Sequence, residues 1–239
     1  MTLVLGVPAS DGVIVASDSQ ATSGAVRHTV QKIQRLTSRI VWAGAGEESL
    51  IQGVSQELAK RAKHDGDLKG MTDALRKAIE QSSTSLLHYD YRVPYASKDA
   101  KSLGQFAQAV FLFVESDGKR HSLLLIDAAG RALWQQDKGH VAIGSGDVFA
   151  HALLYRYRDL RLTCEVVAAL AYRVLDEAIA VAAYGLGRPI DIWSITSVGV
   201  EQFDEARRGA LRDSCELFTE QEQRILQDAC AGGPDGANR

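Results

Sequence analysis

Three residues near the amino terminus carry the groups that a covalent hydrolase needs. Thr2 follows Met1, and methionine aminopeptidase removes an initiator methionine when the next residue is small. A terminal Thr2 would place a hydroxyl nucleophile and a free α-amine on one residue, and an amine with a pKa of about 7.7–8.0 is suited to accept the hydroxyl proton. Lys32 beside this amine would lower its pKa by repulsion between like charges, and Asp18 would hold the lysine in place. The chemistry that these residues point to is nucleophilic acyl transfer.

A structural interpretation of the same residues stays open. Asp18 lies between two serines, where an Asx turn is common, and Lys32 is compatible with an ordinary solvated side chain. If Met1 is retained, Thr2 has no free amine and this chemistry is excluded. The interpretations differ in whether the fold brings Thr2, Asp18 and Lys32 together.

Two glycine-containing segments follow predicted strands and open predicted helices. They are Gly44-Ala45-Gly46 and Gly144-Ser145-Gly146. Backbone N–H groups at such junctions, together with the positive end of a helix, can hold an oxyanion. The alternatives are a purely structural glycine pair in the first segment and a helix cap in the second.

Composition excludes several classes of protein. The 239 residues include 27 Lys and Arg against 30 Asp and Glu, a net charge of -3, so nucleic acid is not expected as a partner. No apolar run approaches the ~18 residues that span a membrane, and no positively charged region precedes an apolar stretch at the amino terminus. We therefore expect a cytoplasmic protein that neither crosses nor binds a membrane.

Side chains that bind metals or cofactors show no recognisable spacing. The cysteines Cys164, Cys215 and Cys230 are odd in number and far apart, and the six histidines form no ligand pattern. We expect no disulfide, no metal and no cofactor. The chain also lacks a nucleotide-binding loop, so energy for unfolding a substrate would have to come from another protein.

The hydrophobic pattern predicts the elements that must position these residues. Alternating apolar residues indicate strands, and apolar residues three or four apart indicate helices. Segregated strands and helices in this order favour an α+β domain with antiparallel sheets. An irregular loop is predicted over 89–105 and a disordered tail over 231–239. The predicted strands cover 2–7, 13–16, 30–36, 39–43, 106–115, 121–127, 132–136 and 190–198, and the predicted helices cover 47–64, 70–88, 164–184 and 204–230, with a further helix after Gly146.

Taken in order, several fragments resemble the β-type subunits of the proteasome and their bacterial relatives, the HslV-type peptidase and the Anbu proteins. The resemblance runs from Thr2 to Val198, and it implies the α+β fold of N-terminal-nucleophile hydrolases, a four-layer αββα sandwich of antiparallel sheets. We therefore divide the chain into a domain at 1–200, a charged helical extension at 201–230 and the tail at 231–239. The fragments that carry the resemblance are Ala16-Ser17-Asp18-Ser19-Gln20-Ala21-Thr22-Ser23-Gly24, Lys32-Ile33-Gln34-Arg35-Leu36, Ala43-Gly44, Ile126-Asp127-Ala128-Ala129-Gly130 and Ile143-Gly144-Ser145-Gly146-Asp147-Val148-Phe149-Ala150.

The resemblance also implies a role for individual residues. Thr2 would be the nucleophile, and its amine would be the general base. Asp18 and Lys32 would be the charge pair that tunes the amine, Gly44 would supply the oxyanion N–H, and Ser145 would bond the Thr2 amine. The residues at the first specificity pocket would be Ala21, Trp42 and Gly46, which predicts an apolar or partly filled pocket.

The sequence departs from the family pattern before the last core strand. Many relatives carry there an Asp and a Ser that are bonded to the threonine site, whereas this chain has Ala183 and Leu186. Loss of such a group can cost orders of magnitude in rate without affecting the fold. The segment 187–191, Gly-Arg-Pro-Ile-Asp, is more similar to the Anbu proteins and favours a divergent bacterial branch.

The resemblance implies a self-compartmentalising threonine peptidase. We expect a homo-oligomeric ring or spiral that cleaves polypeptide, with a separate ATP-dependent unfoldase as a further partner. Two alternatives stay open, a catalytically silent scaffold of the same fold and an amidase that acts on small molecules.

Overall fold

Two five-stranded antiparallel sheets form the centre of the protein in the computed structural model, which describes residues 2–23, 26–61, 66–92, 108–135, 139–181 and 185–231. The first sheet has the strand order β10-β1-β2-β11-β12, the second has the order β5-β6-β7-β8-β9, and β3 and β4 pair separately. The strands are β1 (Leu3–Ala9), β2 (Gly12–Asp18), β3 (Gln20–Ser23), β4 (Val26–Thr29), β5 (Ile33–Arg35), β6 (Ile40–Gly46), β7 (Ala109–Ser116), β8 (His121–Asp127), β9 (Ala132–Trp134), β10 (Val141–Gly144), β11 (Ile190–Thr196) and β12 (Gly199–Gln202).

Helices cover the outer face of each sheet. One core cluster joins the second sheet to the first two helices, another joins the first sheet to the last three, and a third lies between the sheets. The layers are therefore helix, sheet, sheet and helix, which confirms the predicted four-layer αββα sandwich. The helices are α1 (Glu48–Arg61), α2 (Leu68–Ser85), α3 (Asp147–Leu154), α4 (Cys164–Val181) and α5 (Glu205–Ala231), with a π-helical turn at Leu86–Asp90 and a 3-10 turn at Tyr155–Tyr157.

Strand β2 shows why the sequence suits this architecture. All seven of its residues are buried, because one face packs on helices and the other on the second sheet. Ile14 and Ala16 lie in the helix-side core, and Val13 and Val15 lie between the sheets. A strand covered on both faces needs an apolar residue at nearly every position, as in the run Val13-Ile14-Val15-Ala16.

Strand register brings distant parts of the chain to one end of the first sheet. Leu3 pairs with Gly144 and Val4 pairs with Ser17, so the start of β1 lies between the ends of β2 and β10. Asp18 pairs with Ile190 of β11. This register places Thr2 beside the ends of two neighbouring strands.

The predicted order of elements is confirmed, and four short strands, β3, β4, β10 and β12, have no counterpart among the predicted ranges. The strands β3, β4 and β12 have little or no apolar alternation, and β4 is exposed along its whole length. The predicted strand over 30–36 shortens to Ile33–Arg35. Most of the predicted loop over 89–105 and of the tail over 231–239 lies outside the described residues.

The carboxyl-terminal helix packs into the same helical layer as α4. Leu211 and Cys215 of α5 belong to the core that α4 forms with the first sheet. The predicted domain boundary at residue 200 falls inside β12, which pairs with β11. Within the described ranges, every helix is too short or too polar to cross a membrane.

Candidate active site

Thr2, Lys32 and Asp18 form a continuous chain of polar contacts at the end of the first sheet. The Lys32 Nζ donates to Thr2 Oγ1 at 3.2 Å and to Asp18 Oδ1 at 2.7 Å. The Asp18 side chain is fully buried, and the Lys32 side chain is 7% exposed. An ammonium in this position can stabilise an oxygen at Thr2 Oγ1 that becomes negatively charged.

The Asp18 carboxylate is fixed by three backbone amides as well as by the lysine. Oδ1 accepts from Leu3 N at 2.9 Å, and Oδ2 accepts from Gln20 N and Gly187 N at 3.2 Å each. A buried carboxylate needs this degree of hydrogen bonding, because desolvation of an unpaired charge is costly. The carboxylate therefore has one orientation, and through it the lysine is aimed at Thr2.

Burial lowers the pKa of Lys32. Desolvation lowers its pKa from the usual 10.5, and the ion pair and hydrogen bond with Asp18 act in the opposite direction without cancelling the shift. A lysine with a lowered pKa exchanges its proton more readily than a solvated one, which suits a group beside a nucleophile.

The segment after β10 contacts the backbone of Thr2. Ser145 Oγ lies 3.4 Å from Thr2 N. Gly144 has φ +103°, and a Cβ there would overlap the Thr2 carbonyl oxygen. Gly144 is therefore needed both for its backbone conformation and for the close approach of β10 to Thr2.

A cleft of about 960 Å³ opens beside Thr2 and Lys32. Its walls include Ala21 from β3, and Gly44 and Gly46 from the end of β6. Gly46 has φ +130°, and a Cβ there would overlap the Gln108 carbonyl oxygen, so only glycine fits. The structure thus brings Thr2 and the Gly44 segment, where an oxyanion would be held, to one cleft. The remaining lining residues are Gln20, Val30, Gln31, Lys32, Gln34, Glu47, Glu48, Ile51, Gln52, Ser55, Gln56 and Gln108.

Trp42 lies elsewhere, and its assignment to the specificity pocket is corrected. Its side chain is 2% exposed in the core between the second sheet and α1 and α2, and it contacts the rings of Phe111 and Phe113. Gly44 lies two positions after Trp42 on β6. It has no side chain, so the cleft reaches the backbone at this position. The predicted apolar pocket is replaced by a cleft with mostly polar walls.

The structure describes one of the two positions at which the sequence departs from the family pattern. Ala183 lies outside the described residues. Leu186 is buried in the helix-side core, and a Cβ added at Gly146 would lie 3.1 Å from its Cδ1. An apolar side chain thus occupies the space behind the Gly144-Ser145-Gly146 segment.

Sequence reasoning missed the contribution of Gly187. Its N–H donates to Asp18, and its carbonyl accepts from Ser19 N at 3.0 Å. A Cβ at Gly187 would overlap Gln20. A glycine before a predicted strand was the available signal, but its partner is 169 residues away in the chain.

Cys164 and Cys215 take no part in this site. Burial raises the pKa of Cys164 to about 12 and that of Cys215 to about 11, so both are protonated thiols at neutral pH. No group of His, Cys, Asp and Glu in the described part of the chain is arranged to hold a metal ion.

Comparison with known proteins identifies the family of this chain. The family model described as "Proteasome subunit" matches residues 2–189. The chain is 27% identical over 213 residues to "Proteasome subunit beta" of Nanoarchaeum equitans, with 87% of this chain and 100% of that protein covered. It is 27% identical to "Proteasome subunit beta 2" of Thermococcus onnurineus, with 85% of this chain and 95% of that protein covered, and 28% identical to "Proteasome subunit beta 1" of Thermococcus gammatolerans, with 85% and 93% covered. The chain belongs to the proteasome subunit family.

Proposed function

We propose that this protein is a threonine peptidase of proteasome β type that hydrolyses peptide bonds with Thr2 after Met1 has been removed. The observation that carries the proposal is the contact of Lys32 Nζ with both Thr2 Oγ1 and Asp18 Oδ1 at the edge of an open cleft. Family membership supports the same conclusion.

The first half of the reaction forms an ester. The Thr2 amine takes the hydroxyl proton as Oγ1 attacks the peptide carbonyl carbon. The negative charge that forms on the carbonyl oxygen is held by the N–H of Gly44. When the C–N bond breaks, the proton on the Thr2 ammonium passes to the departing amine, and the acyl group remains on Oγ1.

The second half repeats these steps with water. The Thr2 amine removes a proton from water, the hydroxide attacks the ester carbonyl, and the oxyanion forms again at Gly44. Collapse of this intermediate breaks the C–Oγ1 bond, releases the carboxylic acid and restores the Thr2 hydroxyl.

Lys32 and Ser145 act on Thr2 in different ways. The Lys32 ammonium lies against Oγ1 and stabilises negative charge on it, and its charge keeps the pKa of the neighbouring amine low. The Ser145 hydroxyl lies beside Thr2 N and orients the amine. Asp18 is a positioning residue that acts through Lys32.

We propose the cellular setting from the family as well. Assembly into a homo-oligomeric ring or spiral would enclose the cleft and restrict it to unfolded polypeptide, with a separate ATP-dependent unfoldase supplying the substrate. A cytoplasmic location and a bacterial branch stay predictions.

A silent scaffold is the second candidate function. Leu186 favours it, because the space behind Ser145 is filled by an apolar side chain where many relatives have a polar group. The scaffold would keep the fold and the assembly surfaces without turning over peptide.

Intact mass spectrometry before and after treatment with a β-lactone distinguishes the threonine peptidase from the silent scaffold. We expect a chain that lacks Met1 and gains one inhibitor mass. Thr2→Ala still permits removal of Met1 and should abolish both the mass gain and peptide cleavage. Thr72→Ala, which removes a hydroxyl bonded to Leu68 O on α2, is the matched control and should retain both.

The opposite results would favour the scaffold. These are a retained Met1 or a trimmed chain that stays unmodified. Cleavage that survives Thr2→Ala would instead refute Thr2 as the nucleophile. Lys32 is a poorer first variant, because removal of one member of a buried ion pair destabilises a protein by about 3–5 kcal/mol.

A further inference from the structure

The walls of the candidate cleft are mainly polar, which bears on the substrate. Six glutamines, two glutamates and one serine are among its sixteen lining residues, so hydrogen-bonding groups dominate the surface around Thr2. Apolar side chains reach it from Ala21, Val30 and Ile51. A bound apolar side chain would leave desolvated amides and carboxylates without partners, which disfavours it.

The described residues that line the cleft give it a net negative charge. Glu47 and Glu48 contribute two carboxylates to its lining. Lys32 contributes a positive charge, but the Asp18 carboxylate lies 2.7 Å from it and balances it. A substrate side chain in this cleft therefore experiences a net negative potential, which attracts cations.

The two glutamates keep acceptor capacity after their local contacts are counted. Ser49 Oγ donates to Glu47 Oε1 at 2.9 Å, and Gln52 Nε2 donates to Glu48 Oε1 at 3.3 Å. Each contact uses one oxygen of a carboxylate that can accept several hydrogen bonds. Glu48 also stabilises the first turn of α1, so it has a structural role besides any contact with substrate.

Position along the chain places these carboxylates near the bond to be cleaved. Glu47 follows Gly46 directly, and its N–H donates to Gln108 O at 2.9 Å, which fixes the start of α1. Glu47 and Glu48 follow Gly44 by three and four residues in the chain, and all three line the same cleft. A further acceptor on the cleft wall is Gln34 Oε1, which accepts from Ser55 Oγ at 2.8 Å.

From this chemistry we infer that the cleft selects polypeptides with Lys or Arg at the residue whose carbonyl is attacked. A long cationic side chain can reach the glutamates and supplies three to five donors for carboxylate and amide oxygens. The inference rests on the proposed function, and it replaces the apolar pocket expected from the sequence.

The test uses the full chain and four fluorogenic peptides that differ in the residue before the cleaved bond. With Arg, Lys, Leu or Tyr at that position, kcat/KM for Arg and Lys should exceed that for Leu by about tenfold, the usual effect of one well-placed pocket contact. The ratio should fall as salt is raised, because screening weakens contacts between exposed charges.

The double substitution of Glu47→Gln with Glu48→Gln removes both negative charges from the cleft and keeps side chains of nearly the same size and shape. The ratio of Arg to Leu cleavage should fall about tenfold in this variant, as expected when a charged partner is lost from a pocket. Glu57→Gln is the matched control on the same helix, where the carboxylate contacts Lys60, and it should leave the ratio unchanged.

The test separates a failure of this inference from a failure of the proposed function. Preference for Leu or Tyr, or a ratio insensitive to the double substitution, overturns the inference while lactone labelling of Thr2 upholds the peptidase. No cleavage of any peptide together with an unmodified Thr2 overturns the proposed function and this inference with it.

Discussion

The two glycine-containing junctions, Gly44-Ala45-Gly46 and Gly144-Ser145-Gly146, have the same pattern and lie at the same end of the molecule, but they do different work. Gly144 is pressed against the Thr2 carbonyl, and Ser145 lies beside Thr2 N. Gly44 and Gly46 line the cleft, where Gly44 packs under Ile51 of α1. One junction contacts Thr2, and the other forms a wall of the cleft beside it.

The difference shows that a Gly-x-Gly pattern between a strand and a helix does not by itself define a role. In both places glycine permits a positive φ and a close approach of backbone. The role comes from the neighbour that approaches, which is the amino-terminal strand in one case and α1 with Gln108 in the other. Substitutions at the two junctions should therefore separate reaction at Thr2 from the shape of the cleft.

The largest effect is expected from Gly144→Ala. The new Cβ would overlap the Thr2 carbonyl and move Thr2, and misplacement of a reacting group by about 1 Å can cost about 100-fold in rate. Backbone strain should lower the free energy of unfolding by about 1–3 kcal/mol as well. The rate of lactone labelling and a denaturant titration measure the two effects.

Gly118→Ala is the matched control for this strain. Gly118 has φ +88°, and its neighbour is the backbone of Ser197 in a turn apart from the cleft residues. We expect comparable destabilisation with normal labelling. If Gly144→Ala labels as fast as Gly118→Ala, the junction does not position Thr2.

Ser145→Ala should have an intermediate effect. Loss of the hydroxyl beside Thr2 N removes one orienting contact, which should slow labelling about tenfold, in line with the energy of a single hydrogen bond. Ser214→Ala removes a hydroxyl that bonds Ala210 O on α5 and should leave the rate unaltered. Equal rates for the two variants would show that Ser145 only shapes the backbone.

Gly44→Ala should slow lactone labelling of Thr2 only slightly, and its main effect should be a loss of stability caused by overpacking. A Cβ there would lie 3.0 Å from Ile51 Cγ1 and 3.2 Å from the Phe111 ring, so overpacking should lower the free energy of unfolding by about 1–3 kcal/mol. Because the N–H is retained, labelling should slow less than in Ser145→Ala. In a double-mutant cycle with Ile51→Ala, the stability losses should not add, since the second substitution removes the clash. Additive losses would contradict this packing.

The smallest expected effect is on the pH dependence of the labelling rate. At high pH the rate should begin to fall at a lower pH than it would with a lysine of ordinary pKa. Below its pKa, Lys32 is a cation that stabilises charge at Thr2 Oγ1, and above it this stabilisation is lost. Since burial lowers that pKa from 10.5, the rate should decline at a pH below 10.5. Lys32→Arg, which stays protonated, should lack this decline if it folds. A rate that stays constant up to pH 10.5 would contradict the assigned role of Lys32.

Part of the candidate site could be predicted because it depends on neighbouring strands. Asp18 ends β2 and Thr2 precedes β1, so hairpin pairing brings these two together. Lys32 precedes β5, which belongs to the second sheet, so strand pairing does not place it beside them and its grouping came from the family resemblance. The four layers follow from the order of strands and helices. Ser145 was grouped with Thr2 through the resemblance alone.

Other features depend on information that a local pattern does not contain. The alternation of β6 shows that Trp42 and Gly44 share a face, but it does not show that Phe111 and Phe113 would cover the Trp42 ring. The contacts of Gly144 and Gly187 come from the register of strands that are more than 100 residues apart in the chain. The short strands β3 and β4 are held by hydrogen bonds and have no apolar pattern to reveal them.

The hydrogen bonds of Asp18 give it a structural role that does not depend on catalysis. Its carboxylate joins the amides of Leu3, Gln20 and Gly187, so it fastens the amino-terminal strand to two other segments whether or not peptide is cleaved. A descendant that had lost its activity would still be selected to keep this aspartate, and with it the lysine that neutralises its buried charge. Under the proposed function, loss of catalysis by mutation should therefore appear first at Thr2 and in the removal of Met1, and last at the Asp18–Lys32 pair.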